Sequence, residues 1–430
     1  MKTKINIIEN PPRETWEELL KRPAMDSEYL DQAVEDIFFA VNRKGDHALI
    51  DFTRTFDGVE IDSLQVPGEE IDASEELVSE GLRQAIQTAA ANIRKFHAAQ
   101  QCKPARIETA PGVVCWQKPV ALQRVGLYIP GGTAPLFSSV LMLAVPAQIA
   151  GCKDIVLCTP PGKDGKVNPA ILYAAKISGV TGVYTVGGAQ AISAMAFGTE
   201  SIPKVNKIFG PGNQFVTAAK QAVQKMGVAI DLPAGPSEVL VMADETADAR
   251  FVASDLLSQA EHGPDSQVIL TTTDKKLAED TIVAMEEQLQ QLPRREMIEE
   301  SLESCKIIVM DSVDEMVDMV NEYAPEHLII AMKNMYKVAD AIENAGSVFM
   351  GNFTPESAGD YASGTNHTLP TNGFAKAYSG VNLDSFVKKI TFQEITPAGL
   401  QGLGETLQQM AEAENLQAHK LAVSVRLEGI

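Results

Sequence analysis

The fold class is decided by residues 124–159, which read RVGLYIPGGTAPLFSSVLMLAVPAQIAGCKDIVLCT. Two short apolar runs at 124–129 and 154–159 flank a longer apolar stretch at 139–150, and Gly and Pro turns separate the three segments. We predict a strand, a helix and a second strand in that order. This succession is typical of a parallel α/β sheet.

A second segment of the chain repeats this layout. Residues 237–242, 249–260 and 267–272 predict strand, helix and strand, with nearly the same spacing as in the first segment. We interpret the two segments as Rossmann-like halves, although common βαβ geometry gives the same spacing without a duplication. Further α/β units are predicted by strands at 182–186, 207–209, 306–310, 328–331 and 347–350 and by helices at 189–197, 215–225 and 313–323.

The ends of the chain differ from its middle. The N-terminal part is charged and predicts helices at 31–42 and 75–100, whereas the C-terminal part predicts a helix at 397–420 and a strand at 422–427. A tail that follows a completed α/β domain is expected to dock on a partner subunit. We therefore predict a mainly helical N-terminal region (1–110), a first Rossmann-like domain (111–235), a second Rossmann-like domain (236–375) and a C-terminal tail (376–430).

Composition and charge exclude several function classes. The formal net charge of -21 over 430 residues argues against a nucleic-acid or anionic-membrane surface, because phosphates would be repelled. The most apolar stretch, 139–150, is too short to span a bilayer. The five cysteines form no C-x-x-C pair, and residues 1–5 lack the apolar run of a secretion signal. These features favour a reducing, cytoplasmic location.

Histidines are scarce, and their contexts differ. His47 and His97 lie in the polar helical region and are predicted to be surface residues. Residues 254–265 (SDLLSQAEHGPD) predict the last turns of a helix with a Gly-Pro stop, where Gln259 and His262 leave the same face as two possible metal ligands. For a lone histidine, a solvent-facing cap is the commoner interpretation.

Two further histidines lie beside acidic residues. His327 follows Glu326 directly before a predicted strand, so the two side chains offer proton-transfer groups of different basicity. A polar loop that happens to contain both residues is the alternative. His367 ends the polar segment 357–367 (SAGDYASGTNH), which we predict to be a functional loop in which Asp360 ligates a metal or orients a base.

His419 lies in the predicted C-terminal helix, five residues after Glu414. Five residues turn about 140° around a helix, so the two side chains diverge. Taken alone, the pair predicts a solvated helix surface.

Glycine-rich segments at 130–132, 187–190 and 210–213 follow predicted strands and precede helices. Open α/β sheets bind ligands at this edge, where helix N-termini accept phosphate groups. No G-x-G-x-x-G fingerprint is present, and each segment alone predicts only a turn. Three of them in one half of the chain favour a cofactor crevice.

With these motifs assembled, the chain resembles the histidinol dehydrogenase family from about residue 13 to residue 427. The resemblance implies an aldehyde-dehydrogenase-like architecture and the oxidation of L-histidinol to L-histidine through bound L-histidinaldehyde with two NAD⁺, the final step of L-histidine biosynthesis. The motifs that carry it are 125–132 (VGLYIPGG), 207–213 (KIFGPGN), 232–239 (LPAGPSEV), 255–267 (DLLSQAEHGPDSQ), 325–328 (PEHL) and 357–367.

The resemblance also implies roles for particular residues. Glu326 and His327 would be the acid/base pair, and one Zn²⁺ per subunit would be held by Gln259, His262, Asp360 and His419, the last from the partner subunit of a homodimer. NAD⁺ contacts would be Tyr128, Gln190 and Asn213. Substrate contacts would be Ser237, Gln259, His262, His327, Asp360, His367, Glu414 and His419, with Glu414 again from the partner subunit.

Two other functions remain open from the residues. A zinc-dependent hydrolase with Glu326 as base would need no NAD⁺, and a non-catalytic imidazole-binding protein would have a decayed catalytic site. The intact pair of Glu326 and His327 argues against decay. No cysteine nucleophile is assigned, and Cys115 and Cys152 are only outside candidates.

Overall fold

The computed structural model describes residues 5–22, 27–131 and 135–430, so Gly132 of the first glycine-rich segment lies outside the described residues. The strands are β1 (Ile7–Glu9), β2 (Arg106–Ala110), β3 (Val113–Ala121), β4 (Arg124–Tyr128), β5 (Asp154–Thr159), β6 (Gly182–Thr185), β7 (Lys207–Phe209), β8 (Ala229–Ile230), β9 (Glu238–Ala243), β10 (Gln267–Thr272), β11 (Lys306–Val309), β12 (His327–Ala331), β13 (Ser347–Met350) and β14 (Val387–Ile395). The helices are α1 (Trp16–Leu19), α2 (Ser27–Lys44), α3 (Asp46–Phe52), α4 (Gly68–Leu77), α5 (Glu80–Ala98), α6 (Phe137–Ala150), α7 (Pro169–Ser178), α8 (Gly188–Phe197), α9 (Gln214–Gln224), α10 (Ala249–Ala260), α11 (Lys275–Leu289), α12 (Arg295–Ser301), α13 (Val313–Tyr323), α14 (Met335–Ala339), α15 (Glu356–Tyr361), α16 (Pro397–Ala413) and α17 (Gln417–Leu427).

Two parallel sheets share one strand order. The first runs β6-β5-β4-β7-β8, and the second runs β1-β11-β10-β9-β12-β13. Numbered from β4 in the first sheet and from β9 in the second, both follow the order 3-2-1-4-5 of a Rossmann-like half. The two predicted halves are therefore confirmed. The N-terminal region contributes β1, which extends the second sheet at its edge by pairing with β11.

Burial on both faces explains why these strands are so apolar. Every residue of β9 (EVLVMA) and β10 (QVILTT) is buried, because helices cover the sheet on either side. The predicted bounds are confirmed for strands β5, β7, β10 and β13 and for helices α10 and α13.

A third, antiparallel sheet of order β14-β3-β2 was not predicted. Strand β14 pairs with β3 over nine residues, from Val387 opposite Ala121 to Ile395 opposite Val113. This pairing joins segments more than 250 residues apart in the sequence, so no local pattern could reveal it. It places the C-terminal tail beside the start of the first domain.

Two predicted helices are each divided into two in the structure, and one strand prediction was wrong in type. Residues 422–427 form part of α17 instead of a strand, and the predicted helix 397–420 is interrupted between α16 and α17, where Asn415 has a positive φ of 58°. The two helices pack against each other, with Gln408 Nε2 donating to Ser424 Oγ at 2.6 Å. Residues 75–100 likewise contain two helices, because Ser79 caps the start of α5.

His97 was wrongly predicted to be a surface residue. It lies on the inward face of α5 with Ile86 and Ile93, and it is fully buried, with Nδ1 2.9 Å from the carbonyl oxygen of Ile93. The buried residues of α5 recur at helical spacing, but a histidine among them is uncommon. His47 is exposed, as predicted.

The carboxyl ends of strands in the first parallel sheet and the amino ends of strands in the second line one cavity. Pro130 and Gly210, which follow β4 and β7, line it from the carboxyl edge of the first sheet. Ser237, which precedes β9, and His327, which begins β12, line it from the amino edge of the second sheet. Within the described ranges, no helix has both the length and the apolar character needed to cross a bilayer.

Burial of His97 predicts a pH-dependent stability. Desolvation lowers the pKa of His97, so the unfolded chain takes up a proton as the pH falls through the ordinary histidine value and the folded chain does not. His97→Met should therefore reduce the loss of unfolding free energy between pH 7.5 and pH 5.5 by up to about 1.4 kcal/mol. Denaturant unfolding of both proteins at the two pH values measures it. An unchanged pH dependence would show that His97 is protonated in the folded state.

Candidate functional site

A cavity of about 370 Å³ lies between the two parallel sheets. Its volume is in the range of small-molecule sites. It gathers predicted site residues from distant parts of the sequence: Ser237, His262, Glu326, His327, Asp360 and His367.

The main chain of Glu238 holds the two residues predicted to transfer protons. Its N–H donates to Glu326 Oε2 at 3.0 Å, and its carbonyl oxygen lies 3.2 Å from His327 Nδ1. A carbonyl oxygen only accepts, so the imidazole proton sits on Nδ1. The lone pair of His327 Nε2 is therefore free for a substrate, and this atom is buried without a hydrogen-bond partner in the described protein.

A buried ion pair fixes Glu238 in turn. Arg22 Nε donates to Glu238 Oε2 at 2.6 Å and Arg22 Nη2 donates to Oε1 at 3.1 Å. The hydroxyl of Tyr323 donates to Glu238 Oε2 at 2.6 Å, and the Arg22 guanidinium lies 3.9 Å from the centre of the Tyr323 ring. A bidentate pair of this kind holds the start of β9 in one position.

Burial shifts the pKa values of Glu326 and His327 in opposite directions. Desolvation raises the pKa of Glu326 well above its usual range, and the nearby charges of Glu238 and Asp360 add to this effect. Desolvation lowers the pKa of His327 to about 3. A carboxyl group that readily keeps its proton thus lies beside an imidazole that stays neutral at physiological pH, which is the arrangement of an acid/base pair.

Metal-ligating side chains converge next to His327. Ligand atoms of His262, Glu356 and Asp360 all lie within 4.8 Å of one another. Gln259 is fully buried, and neither atom of its amide group has a hydrogen-bond partner in the described protein. Unsatisfied buried polar groups are rare unless an ion or ligand completes them. This set of nitrogen and oxygen donors fits Zn²⁺ or a similar divalent cation.

The elements that present these ligands differ from the prediction in two respects. Helix α10 ends at Ala260, so His262 lies in the following turn, exposed at the mouth of the cavity, where desolvation still lowers its pKa. The segment 357–367 was predicted to be a loop, but its first part belongs to α15. Asp360 therefore projects from a helix, and burial raises its pKa to about 7.

Two carboxylates close to Asp360 were missed, the buried Glu356 and the partly buried Asp255. Glu356 precedes Asp360 by four residues on α15, and Asp255 precedes Gln259 by four residues on α10. Burial raises the pKa of Asp255 to about 7 and that of Glu356 well above its usual range. The signal available in the sequence was this spacing of four, which places each pair on one helix face.

His367 also lines the cavity. Its Nε2 is 3.3 Å from the hydroxyl oxygen of Ser139, near the start of α6, and burial lowers its pKa to about 4. It therefore presents a neutral imidazole, able to hydrogen bond a polar ligand.

The residues expected to contact NAD⁺ lie at the carboxyl edge of the first sheet. Tyr128 ends β4, and its buried hydroxyl accepts a hydrogen bond from Gly188 N at 3.1 Å. Gln190 lies in the first turn of α8 and is buried, whereas the exposed Asn213 caps the start of α9.

Position 210, at the carboxyl edge of the first sheet, requires glycine. Gly210 has a φ of 125°, and a Cβ there would lie 2.0 Å from the carbonyl oxygen of Tyr128. The buried pair of Lys220 and Asp231 holds the turn, because Lys220 Nζ donates to Gly210 O at 2.8 Å and Gly210 N donates to Asp231 Oδ2 at 2.8 Å.

Glu414 and His419 are not brought to the cavity by their own chain. Glu414 follows the last residue of α16 and His419 lies on α17, so they do not share one helix as predicted. Both are exposed, and neither is among the described residues that line the cavity. The same tail exposes large apolar side chains, namely Met410, Leu416, Leu421 and Val425.

The two cysteines considered as nucleophiles also lie elsewhere. Cys115 lines a separate groove of about 940 Å³ beside the antiparallel sheet. Burial raises the pKa of the Cys152 thiol to about 11, which disfavours the reactive thiolate. Neither residue is among the described residues that line the cavity between the sheets.

Comparison with known proteins gives one consistent family. The family model described as histidinol dehydrogenase matches residues 20–427. Histidinol dehydrogenase of Bacteroides fragilis is 58% identical over 426 residues, covering 99% of this chain and 100% of the relative. The crystal structure of histidinol dehydrogenase from Elizabethkingia anophelis has 56% identity and a TM-score of 0.97, covering 99% of this chain and 98% of that chain.

The ligand cluster predicts a measurable metal affinity. His262→Ala should weaken binding of Zn²⁺ or Co²⁺ by at least about tenfold, because it removes the nitrogen donor of the cluster. Competition of the metal-depleted, full-length protein against a chromophoric chelator measures the affinity. His47→Ala, which removes an exposed histidine outside the cavity, is the control and should bind like the unmodified protein. Equal affinities for all three proteins would place the metal elsewhere.

Proposed function

The chain belongs to the histidinol dehydrogenase family, an NAD-dependent oxidoreductase family of histidine biosynthesis, and from this premise we propose how its cavity oxidises L-histidinol. The overall reaction is L-histidinol, two NAD⁺ and water giving L-histidine, two NADH and three protons, with L-histidinaldehyde held between the two oxidations. The observation that carries the proposal is the pair Glu326 and His327, held by Glu238 beside a set of unpartnered buried ligand groups.

His327 acts as the base in the first oxidation. Its Nδ1–H is engaged by the carbonyl oxygen of Glu238, so Nε2 takes the proton of the substrate hydroxyl while hydride passes to NAD⁺. Because desolvation keeps the imidazole neutral, no proton has to be removed from it before the reaction.

Glu326 serves the second oxidation. It takes a proton from a water molecule as that water adds to the bound aldehyde, while protonated His327 returns the proton of the first step to the aldehyde oxygen. Neutral again, His327 then takes a hydroxyl proton of the hydrate as the second hydride leaves. Once ionised, a carboxylate with a raised pKa is a stronger base than an ordinary one, so Glu326 can take a proton from water. No cysteine is among the described cavity residues, which separates this route from thiohemiacetal chemistry.

Zn²⁺ would be held by Gln259, His262 and Asp360 of one chain and by His419 of the partner subunit. The buried, unpartnered amide of Gln259 and the convergence of His262 with Asp360 support this assignment. The metal supplies a binding point for the imidazole and amino nitrogens of the substrate. Ser237 and His367, on the cavity walls, are positioned to contact the rest of the substrate.

NAD⁺ would bind at the carboxyl edge of the first sheet. Tyr128, Gln190 and Asn213 belong to adjacent strand-to-helix connections there, and the N-termini of α8 and α9 suit its phosphate groups. Gly210 and Asn213 also line the cavity, so a nicotinamide bound at this edge would lie close enough to accept hydride from a substrate held at His327.

A homodimer with shared sites would explain why the C-terminal tail exposes both apolar residues and predicted site residues. Glu414 and His419 are exposed in their own chain, next to the apolar residues Met410, Leu416 and Leu421. An exposed apolar patch beside polar site residues is typical of a subunit interface. The tail of each chain would then supply Glu414 and His419 to the cavity of the partner subunit.

The division of labour between Glu326 and His327 is testable with two variants. His327→Asn should abolish NADH formation from both histidinol and histidinaldehyde, with a loss of about 10²–10⁴ in kcat. Glu326→Gln should mainly slow aldehyde oxidation. NADH absorbance, followed separately with each substrate, measures both. An equal loss of both oxidations in Glu326→Gln would contradict the assignment, and no NADH from the unmodified protein would favour a hydrolase or a binding protein.

Shared sites predict complementation between two inactive proteins. Dissociated subunits of His419→Ala and His327→Asn should regain activity when reassembled together, because one site of each mixed dimer then contains both intact residues. A statistical mixture should reach about a quarter of the unmodified activity. If both residues act within one chain, each mixed dimer has two defective sites and the mixture stays inactive. Separately reassembled variants are the control.

A further inference from the structure

We propose that Arg22 is a positioning residue of the reaction, which acts through Glu238 on both Glu326 and His327. The inference rests on the proposed function, because it concerns the acid/base pair of the same cavity. It gives the N-terminal segment 5–22 a part in the chemistry, although none of its described residues lines the cavity.

The N-terminal segment is fixed to the second parallel sheet before it reaches the site. Strand β1 pairs in parallel with β11 at the edge of that sheet. Trp16 and Leu20 are buried in an apolar cluster that also contains Leu240 of β9. These contacts hold the segment beside the start of β9, so Arg22 meets Glu238 from a fixed position.

The guanidinium of Arg22 binds two different parts of the chain. Besides its bidentate pair with Glu238, Nη2 donates to the carbonyl oxygen of Tyr323 at 2.8 Å. Tyr323 is the last residue of α13, so Arg22 satisfies one of the carbonyl groups that a helix end leaves free. The Arg22 side chain is 18% exposed and that of Glu238 is 2% exposed, so solvent screens their pairing only weakly.

Both contacts of Arg22 lead to the acid/base pair. The first fixes Glu238, whose N–H lies 3.0 Å from Glu326 Oε2 and whose carbonyl oxygen lies 3.2 Å from His327 Nδ1. The second fixes the end of α13, from which the chain runs through Ala324 and Pro325 to Glu326. A misplacement of about 1 Å in a reacting group can lower a rate about 100-fold. The orientation of both proton-transfer groups therefore depends on one arginine outside the cavity.

A role in stability alone can be separated from positioning by removing both charges together. Loss of Arg22 by itself would leave the carboxylate of Glu238 buried without its cation, which destabilises a fold whatever its activity. Replacing both partners by neutral side chains of similar size avoids this unpaired charge. The double variant Arg22→Met with Glu238→Gln thus removes the bidentate pair and keeps the space between the segments filled.

The test measures single-turnover NADH formation by the full-length, Zn²⁺-loaded double variant in excess over substrate. The rate constants for histidinol and for histidinaldehyde should each fall about 10- to 100-fold, because Glu326 and His327 both lose a fixed contact. The KM for histidinol should stay close to that of the unmodified protein. A merely structural role would reduce the amount of competent enzyme, and hence the amplitude, without changing the rate constants.

The matched control is the double variant Arg124→Met with Asp154→Asn. Arg124 Nε donates to Asp154 Oδ2 at 2.9 Å, and this pair joins the first residues of β4 and β5. Neither residue lines the cavity, so the control should keep the rate constants of the unmodified protein.

The outcomes are distinguishable. Unchanged rate constants in the variant of Arg22 and Glu238 overturn the inference, whether or not the amplitude falls. An equal fall in the control variant also overturns it, because loss of an ion pair in either sheet would then have the same effect. If the unmodified protein forms no NADH, the proposed function is wrong and the inference falls with it. NADH formation by the unmodified protein with an unaffected double variant refutes only the role of Arg22.

Discussion

The site depends on one peptide segment, the main chain of Glu238 at the start of β9. Parallel pairing of β12 with β9 places His327 beside Val239, so the N–H and carbonyl groups of Glu238 reach the side chains of Glu326 and His327. The buried ion pair with Arg22 prevents this segment from shifting. A substitution of Arg22 would therefore affect the tautomer of His327 through Glu238, although Arg22 itself does not line the cavity.

Burial in the cavity shifts the pKa values of its titratable groups. Carboxyl groups there have raised pKa values, and the imidazoles of His327 and His367 have lowered ones, so all of them tend toward the neutral form. Such a site gains most from a ligand that brings positive charge. A metal ion held beside Asp360 would thus create the field in which Glu326 and His327 work.

The two sheets contribute unequally to this chemistry. The first offers the carboxyl edge that open α/β sheets ordinarily use, with Gly210 and the helix N-termini suited to a dinucleotide. The second offers its amino edge, where Ser237 directly precedes β9 and His327 begins β12. In the proposed function, the opposed edges would place a hydride acceptor and a proton acceptor on either side of one substrate. The tail with Glu414 and His419 is exposed in the single chain, and its exposed apolar residues fit the proposed homodimer.

The sequence by itself determined the local features: the two βαβ segments, the bounds of α10 and α13, and the glycine-rich turns, because periodicity and turn chemistry act over a few residues. It also brought Gln259, His262, Glu326 and His327 to attention through their spacing. Only the tertiary structure decided the pairing of β14 with β3, the burial of His97, the helix in place of a strand at α17 and the presence of Glu356 beside Asp360. Each of these depends on how segments of the chain pack against one another, which a local sequence pattern does not encode.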